Sequence, residues 1–308
     1  MSPARPDLAA IHTAAERLPT TALTVISGGE TILQYGDLSQ VTYQASVRKS
    51  LLSLLFGRPV SDGHIRLDST LEQLGIDDVE PLSAAERRAT VADLLTARSG
   101  VYHPAANPGG DENAPPRGSR SPGTHFLYNN WDFNVLGTIF AQQTGRSVHE
   151  AAATELAGPL QFQDFDPARQ RLLGRNDRSR HLAYHFFLSC RDLARIGQLV
   201  LQGGEWAGRP VVPADWLARS ISPQVSLGAL DYGYLWWVPK ARTAAWAGSC
   251  LAIGKFGQYL LVLPALDLVV AHNRAVPDDF AVARNQGFGA NDDAAPEGVS
   301  TAQFLGLV

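Results

Sequence analysis

The sequence predicts an α/β fold of the α+β kind, in which one antiparallel sheet is built from strands at both ends of the chain. Helices flank that sheet, and an all-helical lobe is inserted between its two halves. Three observations carry this reading. Strand-like runs cluster near the N-terminus and again in the last third, the middle reads as helix, and 308 residues with 45% hydrophobic content suffice for a large core.

In chain order, residues 7–17 read as an opening amphipathic helix. The β-rich runs 22–26 and 31–35 follow, joined by Ser27-Gly28-Gly29-Glu30, and a Gly-Gly pair between such runs signals a hairpin. The next helix begins near Ala45 and carries Leu51, Leu52, Leu54, Leu55 and Phe56. It is apolar on nearly all sides, as a helix buried between two layers is. Residues 84–97, 134–144, 149–156 and 191–202 read as helices, interrupted by a polar loop over 104–123 that is rich in Pro, Gly, Asn and Asp. A loop of that length inside a compact fold is usually a functional lid or a disordered excursion. Strand signals return at 232–238, 243–247, 257–263 and 268–272, with Pro264-Ala265-Leu266-Asp267 as a tight turn. Residues 278–308 read as a terminal helix after a Gly/Asp linker, with 301–307 as its apolar end. The expected organisation is a discontinuous sheet lobe (1–60 and 205–308), a mainly helical lobe (61–204) and an active site in the cleft between them. No internal repeat is present.

Composition narrows the function. A net charge of −4 without a Lys/Arg block argues against nucleic acid as a partner. The two cysteines, Cys190 and Cys250, cannot form a disulfide framework and suit a reducing compartment. The first residues lack an apolar stretch behind a basic one, and the longest apolar runs fall far short of a bilayer span. The expectation is therefore a cytoplasmic protein without a membrane partner. Only Lys49, Lys240 and Lys255 among the basic residues are lysine, which singles each of them out.

Ser46-Val47-Arg48-Lys49 is an S-x-x-K motif at the head of the buried helix. Residues three apart share a helical face, so hydroxyl and amine can meet. A serine hydroxyl becomes a nucleophile when an adjacent base takes its proton, and a lysine is such a base when burial or a neighbouring cation depresses its pKa. Tyr128-Asn129-Asn130 precedes the next helical run. It reads either as a loop tyrosine with an asparagine cap, or as a proton relay (Tyr128) with a substrate hydrogen-bonding amide (Asn130). The third element is the Gly-rich segment 247–259. Its backbone near Gly248, Ser249 and Cys250 would supply one oxyanion donor, the Ser46 N–H being the other. Each motif is weak alone.

Taken in this order, the set resembles the serine β-lactamase and penicillin-binding-protein superfamily, and within it most resembles the class C-like carboxylesterases and the 6-aminohexanoate-dimer hydrolases. Ala92-Asp93-Leu94-Leu95 with Ser99-Gly100, Leu188-Ser189-Cys190-Arg191-Asp192-Leu193-Ala194-Arg195-Ile196-Gly197, and Phe256-Gly257-Gln258-Tyr259 with Leu263-Pro264 extend the resemblance over roughly residues 20–275. It implies a β-lactamase/transpeptidase-like fold and a serine hydrolase with Ser46, Lys49 and Tyr128 as catalytic residues. The substrate would be a small-molecule amide or ester, and no cofactor is implied. The family's third motif is often Lys-Thr-Gly or His-x-Gly. The matching positions here, Ser249-Cys250-Leu251, carry no charge, so a neutral or differently charged amide or ester is expected ahead of a penicillin-type carboxylate. Lys255, a few residues on, is expected at the surface, pointing away from the site.

Other chemistry has less support. His103, His181 and His185 lack a zinc spacing, no G-x-S-x-G elbow occurs, and Gly254-Lys255-Phe256-Gly257 is not a phosphate loop. Trp236 is expected in the core. Trp131 and Tyr102 are candidates for the cleft wall, each with an ordinary core or loop role as the alternative. Residues 164–184 are expected to help shape the pocket. An acyltransferase using the same acyl-enzyme and a weakly acylated penicillin-binding or sensor module remain open. A cell-wall peptidase would require export, and the oligomeric state is not encoded in these patterns.

Overall fold

Asp7 starts the first helix, α1 (Leu8–Arg17), by accepting hydrogen bonds from the N–H groups of Ala9 and Ala10. β1 (Ala22–Ser27) and β2 (Glu30–Gly36) form the expected hairpin, whose turn places Gly28 at φ +60° and Gly29 at φ +78°. Such angles are accessible to glycine at little cost. The computed structural model describes residues 6–110, 113–241, 243–287 and 295–308. A short β3 (Thr42–Tyr43) leads into α2 (Val47–Ser61), and the middle of the chain contributes α3 (Val91–Leu95), α4 (Asn130–Thr144) and α5 (Val148–Ala152). Capping residues define these starts. Thr90 with Asp93 and Ser147 with Glu150 form reciprocal capping boxes, and Asn129 accepts from the Asp132 N–H.

The middle segment is not all-helical as expected. It also holds β4 (Arg171–Leu173), β5 (Ala183–His185) and β6 (Phe187–Leu188), with β4 paired to β5 and β6 to β3. α6 (Cys190–Leu201), grouped by sequence with the helical segment, packs on the main sheet against β1 and two C-terminal strands. A small hairpin, β7 (Glu205–Trp206) and β8 (Arg209–Pro210), precedes α7 (Ala214–Ser220).

The C-terminal third supplies β9 (Leu230–Tyr232), β10 (Trp237–Pro239), β11 (Cys250–Gly254), β12 (Gln258–Leu263) and β13 (Leu268–Asn273), followed by α8 (Asp278–Gln286) and α9 (Thr301–Leu305). Residues 232–238 were expected as one strand but divide between β9 and β10. The turn between them packs Gly233 so closely that a Cβ would lie 2.1 Å from the Ser220 carbonyl oxygen. Residues 243–247 hold a 3-10 turn over Ala244–Trp246 rather than a strand, ending at Gly248 with φ +73°. The linker expected within 278–308 falls partly outside the described residues.

The seven-stranded sheet has the order β2-β1-β13-β12-β11-β10-β9, every neighbouring pair antiparallel. β1 lies beside β13, with Val25 opposite Val270, so the first and last strands meet as the second and third strands from the β2 edge. Side chains alternate along a strand. In β12, Leu260 and Val262 therefore join the core under α2 and α6, whereas Tyr259, Leu261 and Leu263 join Ile11, Phe304 and Leu307 on the opposite face. Helices cover both faces, which is why these strands are continuously apolar. α2 is sandwiched between β11 and β12 on one side and α4, α5 and α7 around it, and this accounts for apolar residues on all its faces. Among the described residues no helix is long and apolar enough to cross a membrane.

Candidate active site

Ser46 opens α2 from an unusual backbone. The residue before it, Ala45, sits at φ +46°, a left-handed conformation that costs an alanine about 1–2 kcal/mol. Ser46 occupies the cap position but makes no capping hydrogen bond with its side chain. Its hydroxyl is instead engaged by Lys49, whose Nζ lies 2.7 Å from Ser46 Oγ and 2.9 Å from the Tyr128 hydroxyl. The one-turn offset within α2 produces the first contact. The second requires the segment ahead of α4 to reach across from a point 79 residues away.

The surroundings of Lys49 decide its protonation. Its side chain is buried, with Nζ 4.4 Å from the centre of the Tyr128 ring and 4.7 Å from that of Phe133. Tyr128 is itself packed by Phe133, Tyr232 and a stacked Trp237. Burial, reinforced by the adjacent Arg48 cation, holds the Lys49 pKa well below that of a free lysine, so the amine is available as a proton acceptor. Burial also pushes the Tyr128 hydroxyl up to about 12, opposed by the Ser46 hydroxyl and by Arg48, so Tyr128 stays protonated and able to donate.

Ser46 and Tyr128 line a cavity of about 100 Å³ together with Asn130, Asn107, Pro108, Gly109 and Gly110. Part of the polar loop 104–123 is therefore at the site, while Asp111 and Glu112 lie outside the described residues. Asn130 holds the loop by donating from Nδ2 to the Pro108 carbonyl at 2.8 Å. Gly110 crosses the Tyr128 backbone so tightly that a Cβ would fall 2.2 Å from its carbonyl oxygen. Residues 164–184, expected to shape the pocket, do not line it; His185, directly after them, does. A larger polar groove of about 820 Å³ between β2 and α6 contains neither Ser46 nor Lys49. The Ser46 and Tyr128 side chains belong to the smaller cavity.

Several expected positions fall elsewhere. Gly248, Ser249 and Cys250 are not among the cavity residues. The Ser249 N–H donates to the Trp246 carbonyl at 3.2 Å and is not free to stabilise an oxyanion. The other end of β11 approaches the serine. A Cβ on Gly254 would lie 2.6 Å from the Gln44 carbonyl, and the following Lys255 and Phe256 line the cavity. Lys255 is exposed, as expected, but it lines the cavity instead of pointing away from the site. Pairing between β10 and β11 is confined to Trp237 and Leu251, which leaves the β10-facing edge of residues 252–254 without a strand neighbour. Trp131 is buried in the core, its Nε1 donating to Asp78 at 2.7 Å and its ring set between His103 and His181. Trp236 is core, as expected. Tyr102 does not line the cavity.

Residues that spacing did not single out complete the cavity: Tyr43, Arg48, His185, Phe256 and Arg284. Arg48 stood inside the S-x-x-K motif and Tyr43 lies three residues before it; His185, Phe256 and Arg284 come from elements distant in sequence. Behind the site, the Ser99 hydroxyl donates to Asp132 at 2.6 Å, tying the 92–100 segment to α4, and burial raises the Asp132 pKa to about 8. Among the described residues no group of three or more His, Cys, Asp or Glu is placed to hold a metal ion.

Sheet, helices and site together define a hydrolase of the serine β-lactamase superfamily. The beta-lactamase family model matches residues 8–288, and the chain belongs to that family. Solved structures agree in fold. A protein described as a 6-aminohexanoate-dimer hydrolase from Bacillus anthracis is 19% identical with a TM-score of 0.68, over 88% of this chain and 78% of that one. A penicillin-binding-protein homologue from Caulobacter crescentus is 14% identical with a TM-score of 0.65, over 92% and 96%. A β-lactamase from Mycobacterium bovis is 22% identical with a TM-score of 0.60, over 88% and 94%.

Proposed function

We propose that the protein cleaves an amide or ester bond of a small molecule through an acyl-enzyme on Ser46. The observation that carries this reading is the buried Lys49 amine placed between the Ser46 and Tyr128 hydroxyls at 2.7 and 2.9 Å. Lys49, neutral before reaction, accepts the Ser46 proton as Oγ bonds to the carbonyl carbon. The developing oxyanion is met by the N–H at the head of α2 and by a backbone N–H from the open edge of β11 at residues 252–254. This places the second donor nearer the hairpin tip than Ser249 or Cys250. The proton on Lys49 passes through Tyr128 to the leaving nitrogen or oxygen, and the bond to that atom breaks. Water then attacks the acyl-enzyme by the same route in reverse, releasing the acid and restoring the Ser46 hydroxyl.

The test is Ser46→Ala assayed beside the wild type on p-nitrophenyl esters, nitrocefin and short ω-amino-acid amides, with a fluorophosphonate probe to locate the nucleophile. The expected result is labelling at Ser46 and a loss of at least about 10³-fold in kcat/KM. A loss below about tenfold, or labelling at a different serine, would overturn the assignment.

A further inference from the structure

We propose that the cavity at Ser46 is built for a substrate carrying a carboxylate close to the scissile carbonyl, bound by the Arg48 guanidinium. The proposal rests on the hydrolase reading above and names its substrate class. Arg48 is 1% exposed and lines the same cavity as Ser46. Its Nη2 donates to Asn134 Oδ1 at 2.8 Å, and its guanidinium carbon lies 4.5 Å from the centre of the Tyr184 ring. Nη1 has no hydrogen-bond partner, and among the described residues Arg48 forms no ion pair.

A guanidinium cannot shed its proton as Lys49 does, so this charge persists in the folded state. Leaving a buried ion without a counter-ion costs more than one amide hydrogen bond and one ring contact return. A bound anion supplies the missing partner, with the planar two-point geometry that guanidinium and carboxylate share. The rest of the cavity matches. His185 is buried, lines it and has neither ring nitrogen paired. No carboxylate belongs to the described residues that line it. The position of Arg48 is fixed in advance by a relay of buried amides. Asn134 donates to Asn107 at 3.0 Å, Asn107 to Asn285 at 3.1 Å, and Asn285 to the Tyr43 hydroxyl at 3.0 Å. The volume of about 100 Å³ is roughly three waters' worth, enough for a carboxylate on a short chain.

The test compares matched esters with the wild-type protein: p-nitrophenyl hydrogen succinate against p-nitrophenyl butyrate, and 4-carboxyphenyl butyrate against phenyl butyrate. These pairs place the charge on the acyl half or on the leaving half. The expected result is a kcat/KM preference of at least about tenfold for the charged member of one pair, and loss of most of it in Arg48→Gln. Because that variant can fail to fold, a second measurement uses wild type alone: succinate, but not succinamide, should slow fluorophosphonate labelling of Ser46. A seated anion also offsets the cation that helps keep Lys49 neutral. The acid limb of kcat should therefore lie at higher pH than that of kcat/KM for the charged ester, and the two should coincide for the uncharged one. Labelling of Ser46 with neither ester preference nor succinate protection overturns this proposal alone. No labelling and no turnover overturns the hydrolase reading and this proposal with it.

Discussion

Gly137 lies in the middle of α4 with its Cα against a buried tyrosine, and Gly137→Ala tests how tightly the layer behind the site is packed. A Cβ at this position would fall 2.5 Å from Cδ1 and 2.7 Å from Cε1 of Tyr184. Carbon atoms settle at about 3.5–4.0 Å, so the ring must retreat by roughly 1 Å. Tyr184 is 1% exposed and Arg48 is held over its ring, so the ring can yield only toward the cavity of about 410 Å³ that it lines with Gly137 and Ala141. Replacing a mid-helix glycine by alanine contributes about 1 kcal/mol to stability. Overpacking a core costs roughly 1–3 kcal/mol, and with Arg48 holding the ring in place the overlap belongs at the upper end. The expected net effect is a loss of about 1–2 kcal/mol, which for a chain of this size lowers Tm by roughly 2–4 °C. Thermal unfolding followed by circular dichroism measures it, and adding Tyr184→Leu should recover most of the loss by making room for the new methyl. A Gly137→Ala protein that melts at or above the wild-type temperature would refute the packing argument.

Two further outcomes concern protonation. Burial holds the Lys49 pKa in the folded protein well below 10.5, whereas the unfolded chain binds that proton up to about 10.5. Between the lowered folded pKa and 10.5, stability therefore rises with pH. Lys49→Met should be inactive, should be more stable than wild type near neutral pH, and should lose that advantage as pH approaches 10.5; denaturant titrations across pH read the slope. Asp132 has the opposite sign. Its folded pKa of about 8 exceeds the ordinary 3.8, so its contribution is complete below 3.8 and is lost as pH rises through about 8. Asp132→Asn keeps an acceptor for the Ser99 hydroxyl and should flatten the fall in Tm between about pH 4 and pH 8. An unchanged slope would mean that Asp132 is already ionised in the folded protein.

The sequence by itself determined the features that depend on neighbours a few residues apart. The Gly-Gly turn specified the β1–β2 hairpin, continuous apolarity marked α2 as a sandwiched helix, and the three-residue offset brought Ser46 and Lys49 to one face. The order of the motifs was also enough to reveal the family. Tertiary packing decided what those short-range rules do not reach. Counting back from Phe256-Gly257 located the third motif but could not say which end of β11 passes the serine. That depends on how the strand lies against Gln44, and it brought Lys255 into the cavity while leaving Ser249 in a turn. Trp131, beside the motif tyrosine in sequence, points the other way along α4 because Asp78 requires a buried donor. Arg48 was visible as a letter within the S-x-x-K motif, but its burial without a partner acid emerged only when β5, α4 and the 104–110 segment closed around it. A charge becomes informative when its solvent is removed, and the fold alone specifies where that happens.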